Sequence, residues 1–462
     1  MKKHLFITVL LSGMLMWNCG GDDPADPNPQ TPPTETPGGD TPTPPNPNEV
    51  VYDETGCLYT SYNRLVMCGY QGWFSCQGDP TGMGWVHYPH DGQLKPGSIN
   101  IDFWPDMTEY EKAYAAPGFK YADGTQAYLF SSGDYSSVDL HFKWMKDYGI
   151  DGVFVQRFVS QTTGGTAKTR VNMVLEHCLK AAKKYGRAIA VMYDGSAGSE
   201  QDYDRITSDW NEIVERFKLF DNVENPTFLR HNGKPVFSLW GYGFTSRGFN
   251  PQIFDRICEN IRGEEQKKVS IMLGVPYNWR TLNGDCVDDE RFHESLKKWV
   301  DIIMPWGVGR YDNNNVASRM NEMIPADLQW CKTNKLDYVP TVSPGFSWAN
   351  MHNNEPAASY PYDQCPRNGG DFFWTQVVTA RQAYNQVKPA SQMLYVAMFD
   401  EMDEGTCIFK CETDSRLPLN TPRRFVGYED SRGSDHYLWL AGKASDLFHG
   451  GGGYGTSQPI RR

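Results

Sequence analysis

A chain of 462 residues can hold two or three average domains or a single α/β barrel with long insertions, so length leaves the domain count open. Its formal net charge of −12, from 44 Lys and Arg against 56 Asp and Glu, argues against a nucleic-acid or anionic-membrane surface, where clustered cations are expected. An aromatic share of 13%, with Trp 14 and Tyr 25, suits stacking on sugar rings as well as core filling, so a neutral, hydroxyl-rich ligand is compatible.

In chain order, a basic start at Lys2 and Lys3 leads into an apolar run too short for an ordinary membrane helix, which reads as an export signal over residues 1–19. Cys19 resembles the lipid-attachment cysteine of bacterial lipoproteins, although Trp17 and Asn18 stand where small residues are usual. Residues 20–50 are Pro-, Thr- and Asp-rich and cannot bury enough apolar surface to offset ordering entropy, so they read as a disordered tether. Gly20-Gly21-Asp22-Asp23 is similar to the surface-export signal of Bacteroidota lipoproteins. That likeness implies an outer-membrane lipoprotein held at the cell surface by its lipid anchor, with a periplasm-facing location as the alternative.

Residues 51–450 alternate short apolar runs with helix-period segments, the pattern of βα units on a parallel sheet. The first strand is Leu65–Tyr70, followed by a long insertion rich in Gly, Pro and aromatics that includes Trp85, His87 and Trp104. A helix carrying Val138, Phe142 and Met145 stops at Gly149, before the second strand at Ile150–Arg157. The stripe Val171, Val174, Leu175, Cys178, Leu179 and Ala182 marks the next helix, and strand three is Ala188–Asp194. Strands four to seven follow at Pro235–Trp240, Val269–Pro276, Val300–Trp306 and Asp337–Pro344, with helical stripes between them. A last stripe of Phe373, Val377, Ala380 and Tyr384 precedes strand eight, an apolar run from Met393 to Phe399. Residues 451–462 read as a flexible tail.

Eight such units predict an α/β fold, a (β/α)8 TIM barrel with long βα-loop insertions, whose site lies at the C-terminal ends of the strands. Those exits offer Tyr70 and Gln71, Arg157, Tyr193 and Asp194, Trp240 and Tyr242, and Trp306 as candidate substrate-binding groups. Arg157 suits a sugar hydroxyl or an ionised glutamate, or a structural acid; Asp194 suits a hydroxyl acceptor, or a turn with Gly195. Trp240, Tyr242 and Trp306 suit stacking platforms or core anchors, and Trp85, His87 and Trp104 a cleft wall or a small core within the insertion.

Strand eight stops at four acids in five positions, Asp400, Glu401, Asp403 and Glu404, followed by Gly405. If the turn coils once, Glu401 and Glu404 share a side, and two adjacent carboxyl groups push one pKa upward. One acid beside one base suits glycosidic bond cleavage, whereas the bland reading is a solvated loop.

No metal or cofactor is expected. His87 and His90 are interrupted by Pro89, and neither Asp285–Asp289 nor Asp312–Asn315 fits an EF-hand pattern. The Gly164-Gly165 segment before Lys168 lacks the ending and spacing of a phosphate loop. Ten of the 11 cysteines remain once Cys19 is set aside, with no Cys-x-x-Cys pair. Cys407 and Cys411 are close enough to bridge, and Cys57, Cys68 and Cys76 are further candidates whose connectivity stays open.

From about Leu65 to Leu447 these residues resemble the glycoside hydrolase family 71/99-like group. Asp139–Val155 is similar to the family's early barrel segment, Asn232–Phe237 to the lead-in to its fourth strand, and Glu401-x-x-Glu404-Gly405-Thr406 to the family 99 motif Glu-Trp-His-Glu-Gly-Thr. The resemblance implies Glu401 as the base assisting the sugar 2-hydroxyl through a 1,2-anhydro intermediate, Glu404 as the general acid, retained configuration, no metal and a carbohydrate substrate. Met402 and Asp403 depart from the motif's Trp and His. The leading reading is therefore a monomeric, metal-free retaining glycoside hydrolase without nucleic-acid partners; the alternative is a glycan-binding surface lipoprotein on the same barrel.

Overall fold

A computed structural model describes residues 57–263, 268–355, 359–451, 453 and 455–461. The export signal, Cys19 and the tether expected over residues 1–50 lie outside them. Among the described residues no helix is long and apolar enough to cross a membrane.

In chain order the elements are β1 (Val66–Tyr70), the hairpin β2 (Tyr114–Lys120) and β3 (Gln126–Leu129), α1 (Tyr135–Tyr148), β4 (Gly152–Phe158), α2 (Gly165–Tyr185), β5 (Ala188–Asp194) and α3 (Glu200–Arg216). They continue with β6 (Arg230–His231), β7 (Lys234–Trp240), α4 (Pro251–Arg262), β8 (Ser270–Val275), α5 (Arg291–Trp299), β9 (Ile302–Pro305) and α6 (Val316–Thr333). The last are β10 (Asp337–Tyr338), β11 (Thr341–Val342), α7 (Asp371–Val387), β12 (Leu394–Val396) and α8 (His436–Phe448).

The parallel ladder runs β10-β9-β8-β7-β5-β4-β1-β12-β11. Its two ends are successive pieces of one run, because only Val339 and Pro340 separate β10 from β11. Pro340 has no N–H to give a ladder, so the strand breaks there, yet its carbonyl still accepts from Tyr395 N at 3.1 Å while Val339 N donates to Ile303 O at 2.8 Å. Counted this way, eight parallel strands close into a ring and the chain is a (β/α)8 barrel.

Local chemistry fixes the helix ends. Gly149 and Gly186 take left-handed conformations after α1 and α2, Ser199 caps α3 by accepting from Asp202 N, and Asn250 caps α4 ahead of Pro251. Strands β1 and β8 are buried along their whole length, as expected for a sheet filled inside and covered outside.

The pleat sorts each strand into two faces. Phe154, Gln156, Met192 and Tyr395 meet inside the ring: Gln156 Nε2 donates to the Tyr395 hydroxyl at 3.0 Å, and the rings of Phe154 and Tyr395 lie 5.6 Å apart. Tyr193 and Phe237, at odd positions of β5 and β7, instead pack outward on Trp210 of α3. Residues after α8 are tied to the barrel by Gln458 to Asp371 at 2.7 Å and by Arg461 to Asp435.

Candidate active site

Past Val396 the chain is latched to the exit of β1. Asp400, fully buried, accepts from the backbone N–H groups of Gln71 and Gly72 at 2.7 and 2.9 Å, which places its carboxylate in the architecture rather than in the cup. The carbonyl of Glu401 then accepts from Thr406 N at 3.1 Å and Cys407 N at 3.0 Å, closing a turn over residues 402–405. Gly405 closes this turn at φ +61°, and a Cβ there would stand 2.7 and 2.8 Å from the Ser347 backbone O and N. Only glycine fits that left-handed, crowded position.

Three long loops meet at this turn. Asp102, in the insertion after β1, accepts from the Ser347 hydroxyl and from Ala349 N and Asn350 N, all in the loop after β11. Its own N–H donates to Met402 O at 3.1 Å, and Ser347 N donates to Glu404 O at 3.0 Å. Met402, where the resembled motif has Trp, is wholly buried.

The two glutamates differ in what reaches them. Gln71 Nε2 donates to Glu401 Oε1 at 2.8 Å and the Thr406 hydroxyl to Glu401 Oε2 at 2.9 Å. Among the described residues no hydrogen-bond donor meets the carboxylate of Glu404, which is half-buried. Burial pushes Glu404 up to about 8, with the charges of Asp403 and Asp194 adding to it. Burial and then the charge of Glu404 push Glu401 up as well, against the Thr406 hydrogen bond. Both donors fall on Glu401, where they favour the ionised form, and neither reaches Glu404.

Burial also pushes Asp400 and Asp403 up to about 7 each. His87 Nδ1 stands 3.5 Å from Asp403 Oδ2, but burial pushes this imidazole down to about 3, so it is neutral and does not balance the acid. These raised carboxyls bind protons more tightly folded than unfolded. Their contribution to stability is therefore full below about pH 4, where the unfolded carboxyls are protonated too, and is lost as pH rises through about 7 to 8. Urea titrations are expected to show stability falling between those limits; a rise would contradict the burial of the cluster.

Around the acids, Phe158 stacks on Trp73 and Trp73 on His87, with centroids 5.4 and 3.9 Å apart. Asp194, at the end of β5, pairs with Arg247 Nη1 at 2.7 Å, and that guanidinium lies 4.5 Å from the ring of Trp240. Trp240 in turn meets Trp306 edge to face at 5.3 Å and packs where a Cβ on Gly274 would stand 2.2 Å from its Cδ1. Gln71, Asp194, Trp240 and Trp306 are thus on the same inward face as Gln156, the neighbour of Arg157 at the exit of the second strand, which was not taken as a substrate contact. Phe158, Trp73 and Arg247 were also missed. The first could have been found from the pleat; Arg247, in an irregular loop, carried no sequence signal.

Four expected substrate contacts are corrected. Tyr70 is fully buried against α1, its hydroxyl sharing a 2.9 Å hydrogen bond with His141. Arg157 faces the helices: its Nη2 donates to Asp209 Oδ1 at 2.7 Å and to Asn172 at 2.6 Å, and the Tyr193 hydroxyl donates to the same Asp209 at 2.7 Å. Tyr242 stacks on Phe254 of α4 with centroids 4.0 Å apart. Each belongs to the opposite face of the pleat or to the helix layer, where a ligand does not reach. Trp104 likewise fills the insertion's own core, 5.2 Å from Phe119 and from Phe425, while Trp85 packs edge-on to Tyr88. Asp285 takes the backbone N–H groups of Tyr277 and Asn278 and pairs with Arg310, which accounts for the acid of that segment.

No protein-family model matches the chain, and no curated protein matches it. Among solved structures, the chain is similar to the family 99 glycoside hydrolase endo-α-mannosidase of Bacteroides thetaiotaomicron, with a TM-score of 0.56 at 14% identity over 84% of this chain and 99% of that one. The same enzyme in complex with bis-tris propane gives 0.54 at 16% identity, over 84% of this chain and 98% of that one. The chain has that enzyme's fold. At such identity the likeness to the endo-α-mannosidase speaks for the barrel and leaves the chemistry to the side chains described above.

Proposed function

We propose that the protein is a retaining glycoside hydrolase acting on a polysaccharide or oligosaccharide, with Glu401 as base and Glu404 as acid/base. One observation carries this reading: two neighbouring carboxyls at the C-terminal mouth of a (β/α)8 barrel, one receiving two hydrogen-bond donors and the other none among the described residues. In such a pair Glu404 keeps a proton to give to the glycosidic oxygen, and Glu401 keeps the charge with which to take one from a sugar hydroxyl. Half-buried Trp306, Phe158 and His87, backed by the buried rings of Trp240 and Trp73, supply aromatic surface for sugar rings. The solved enzyme of this fold is described as an endo-α-mannosidase, which makes α-mannans the first substrates to try.

Release of reducing ends from a panel of mannans, xylans, arabinans and glucans tests the reading. Binding without turnover, unchanged in Glu401→Gln and Glu404→Gln, would instead support a glycan-binding module. On a substrate that is cleaved, activity is expected to fall as pH rises past about 8, where Glu404 gives up its proton. Gln71→Leu removes a donor from the ionised Glu401 and is expected to move the acid limb of the pH–rate profile upward by about one unit. An unmoved limb would separate Glu401 from the base role.

The expected export signal and Cys19 fit a lipid-anchored protein facing the cell exterior. Labelling with radioactive palmitate, lost in Cys19→Ala, tests the anchor, and protease treatment of whole cells tests which side the barrel faces.

A further inference from the structure

Directly after the acidic turn, Cys407 and Cys411 are fully buried with their Sγ atoms 3.6 Å apart. Cys407 also faces a buried guanidinium. Arg367 Nη2 donates to the carbonyls of Gly405 and Cys407 at 2.9 and 2.6 Å and lies 3.7 Å from Cys407 Sγ. Its Cζ sits 4.4, 4.9 and 4.5 Å from the rings of Phe103, Tyr428 and Tyr437, while Nε and Nη1 have no hydrogen-bond partner. Among the described residues no carboxylate makes an ion pair with Arg367, although its charge is felt by Asp363; the ionisable groups packed around the guanidinium are the Cys407 thiol, with Cys411 behind it, and two phenols. A buried cation of this kind favours an anion beside it, and a thiol ionises more readily than a phenol.

We propose that Cys407 and Cys411 are a thiol–disulfide pair, Cys407 the attacking thiolate and Cys411 the resolving thiol. When the segment opens, Cys407 Sγ attacks one sulfur of an oxidant disulfide R–S–S–R; the S–S bond breaks and one R–S⁻ leaves, taking up a proton. Cys411, having lost its proton to solvent, attacks the Cys407 sulfur of the mixed disulfide and expels the second R–S⁻. The two cysteines are oxidised by two electrons and one R–S–S–R is reduced to two R–SH. Burial alone would push both thiols up, yet the Cys411 hydrogen bond and the Arg367 charge leave Cys407 below its ordinary value while Cys411 stays well above it. That split matches an attacker and a resolver. Oxidation removes the anion facing Arg367, so the arginine stabilises the reduced pair and couples its redox state to the carbonyl of Gly405 that it holds.

The full-length protein is equilibrated in buffers of graded oxidised to reduced dithiothreitol, quenched in acid, alkylated after unfolding and cut with trypsin. Lys410 lies between the two cysteines, so cleavage leaves them on separate peptides joined only by the disulfide. The linked pair is expected at the oxidising end and is released by reductant. Both thiols alkylated across the whole range, or Cys407 linked elsewhere, would overturn the pairing. In Arg367→Met, which keeps bulk and removes charge, the midpoint is expected about tenfold lower in the oxidised-to-reduced ratio. An unshifted midpoint would overturn the arginine's role, and the wild-type mapping stands whether or not this variant folds.

Discussion

Glu404→Gln is expected to lower kcat on an unactivated glycan by about 10²–10⁴-fold, and much less on an aryl glycoside whose leaving group departs without a proton. Among the described residues no donor reaches the Glu404 carboxyl, whose proton is held by burial and by the charges of Asp403 and Asp194, so an amide of the same shape removes the acid without disturbing a hydrogen-bond network. Glu401→Gln should be equally damaging on both substrates, because an activated leaving group does nothing to replace a base. Equal sensitivity of the Glu404 variant to both substrates would refute its role as the proton donor. Loss of folding in Glu401→Gln alone would be unsurprising, since that side chain receives two donors and an amide can accept at only one of its two positions.

The largest loss of stability is expected far from the acids, in Asp209→Ala. Asp209 takes the Arg157 guanidinium and the Tyr193 hydroxyl in a fully buried cluster between β4, β5 and α3. Removing it strands a buried arginine charge, with Lys168 3.7 Å from the vacated position and already paired to Glu212. Breaking such a pair from one side costs about 3–5 kcal/mol. Denaturant melts should show that loss, and kcat/KM of the folded fraction should be little changed, which would assign Arg157 to the scaffold. A normal melt with crippled turnover would return Arg157 to the cup.

Arg157 and Gln156 also show how far the sequence could be read. Apolar runs located the eight strands, because a strand covered on both faces needs apolar residues at nearly every position. The same uniformity hides which face is inward. At an exit such as Gln156-Arg157, two polar neighbours point in opposite directions, and nothing in their chemistry says which points in; the register against Met192 and Tyr193 of β5 decides. Tyr193 fell to the same ambiguity, whereas Asp194, one position on and level with Trp240 of β7, lies on the inward face. Glu401 and Glu404 were legible because an abrupt change from apolar to acidic marks a strand end regardless of register. The partners that distinguish the two glutamates were not: Gln71 lies 330 positions away in sequence, and only the closure of β12 on β1 brings it within reach.

Buried Asp102 carries a consequence for how this scaffold can change. A single carboxylate fastens the insertion after the first strand to the loop after the seventh, and both of them rest on the turn that presents the glutamates. Rim segments of a barrel are usually free to vary one at a time, but here an exchange of any one of the three breaks the same knot. Altered specificity in this lineage should therefore arise from point changes in the side chains facing the cup, or from replacement of all three segments together as a cassette.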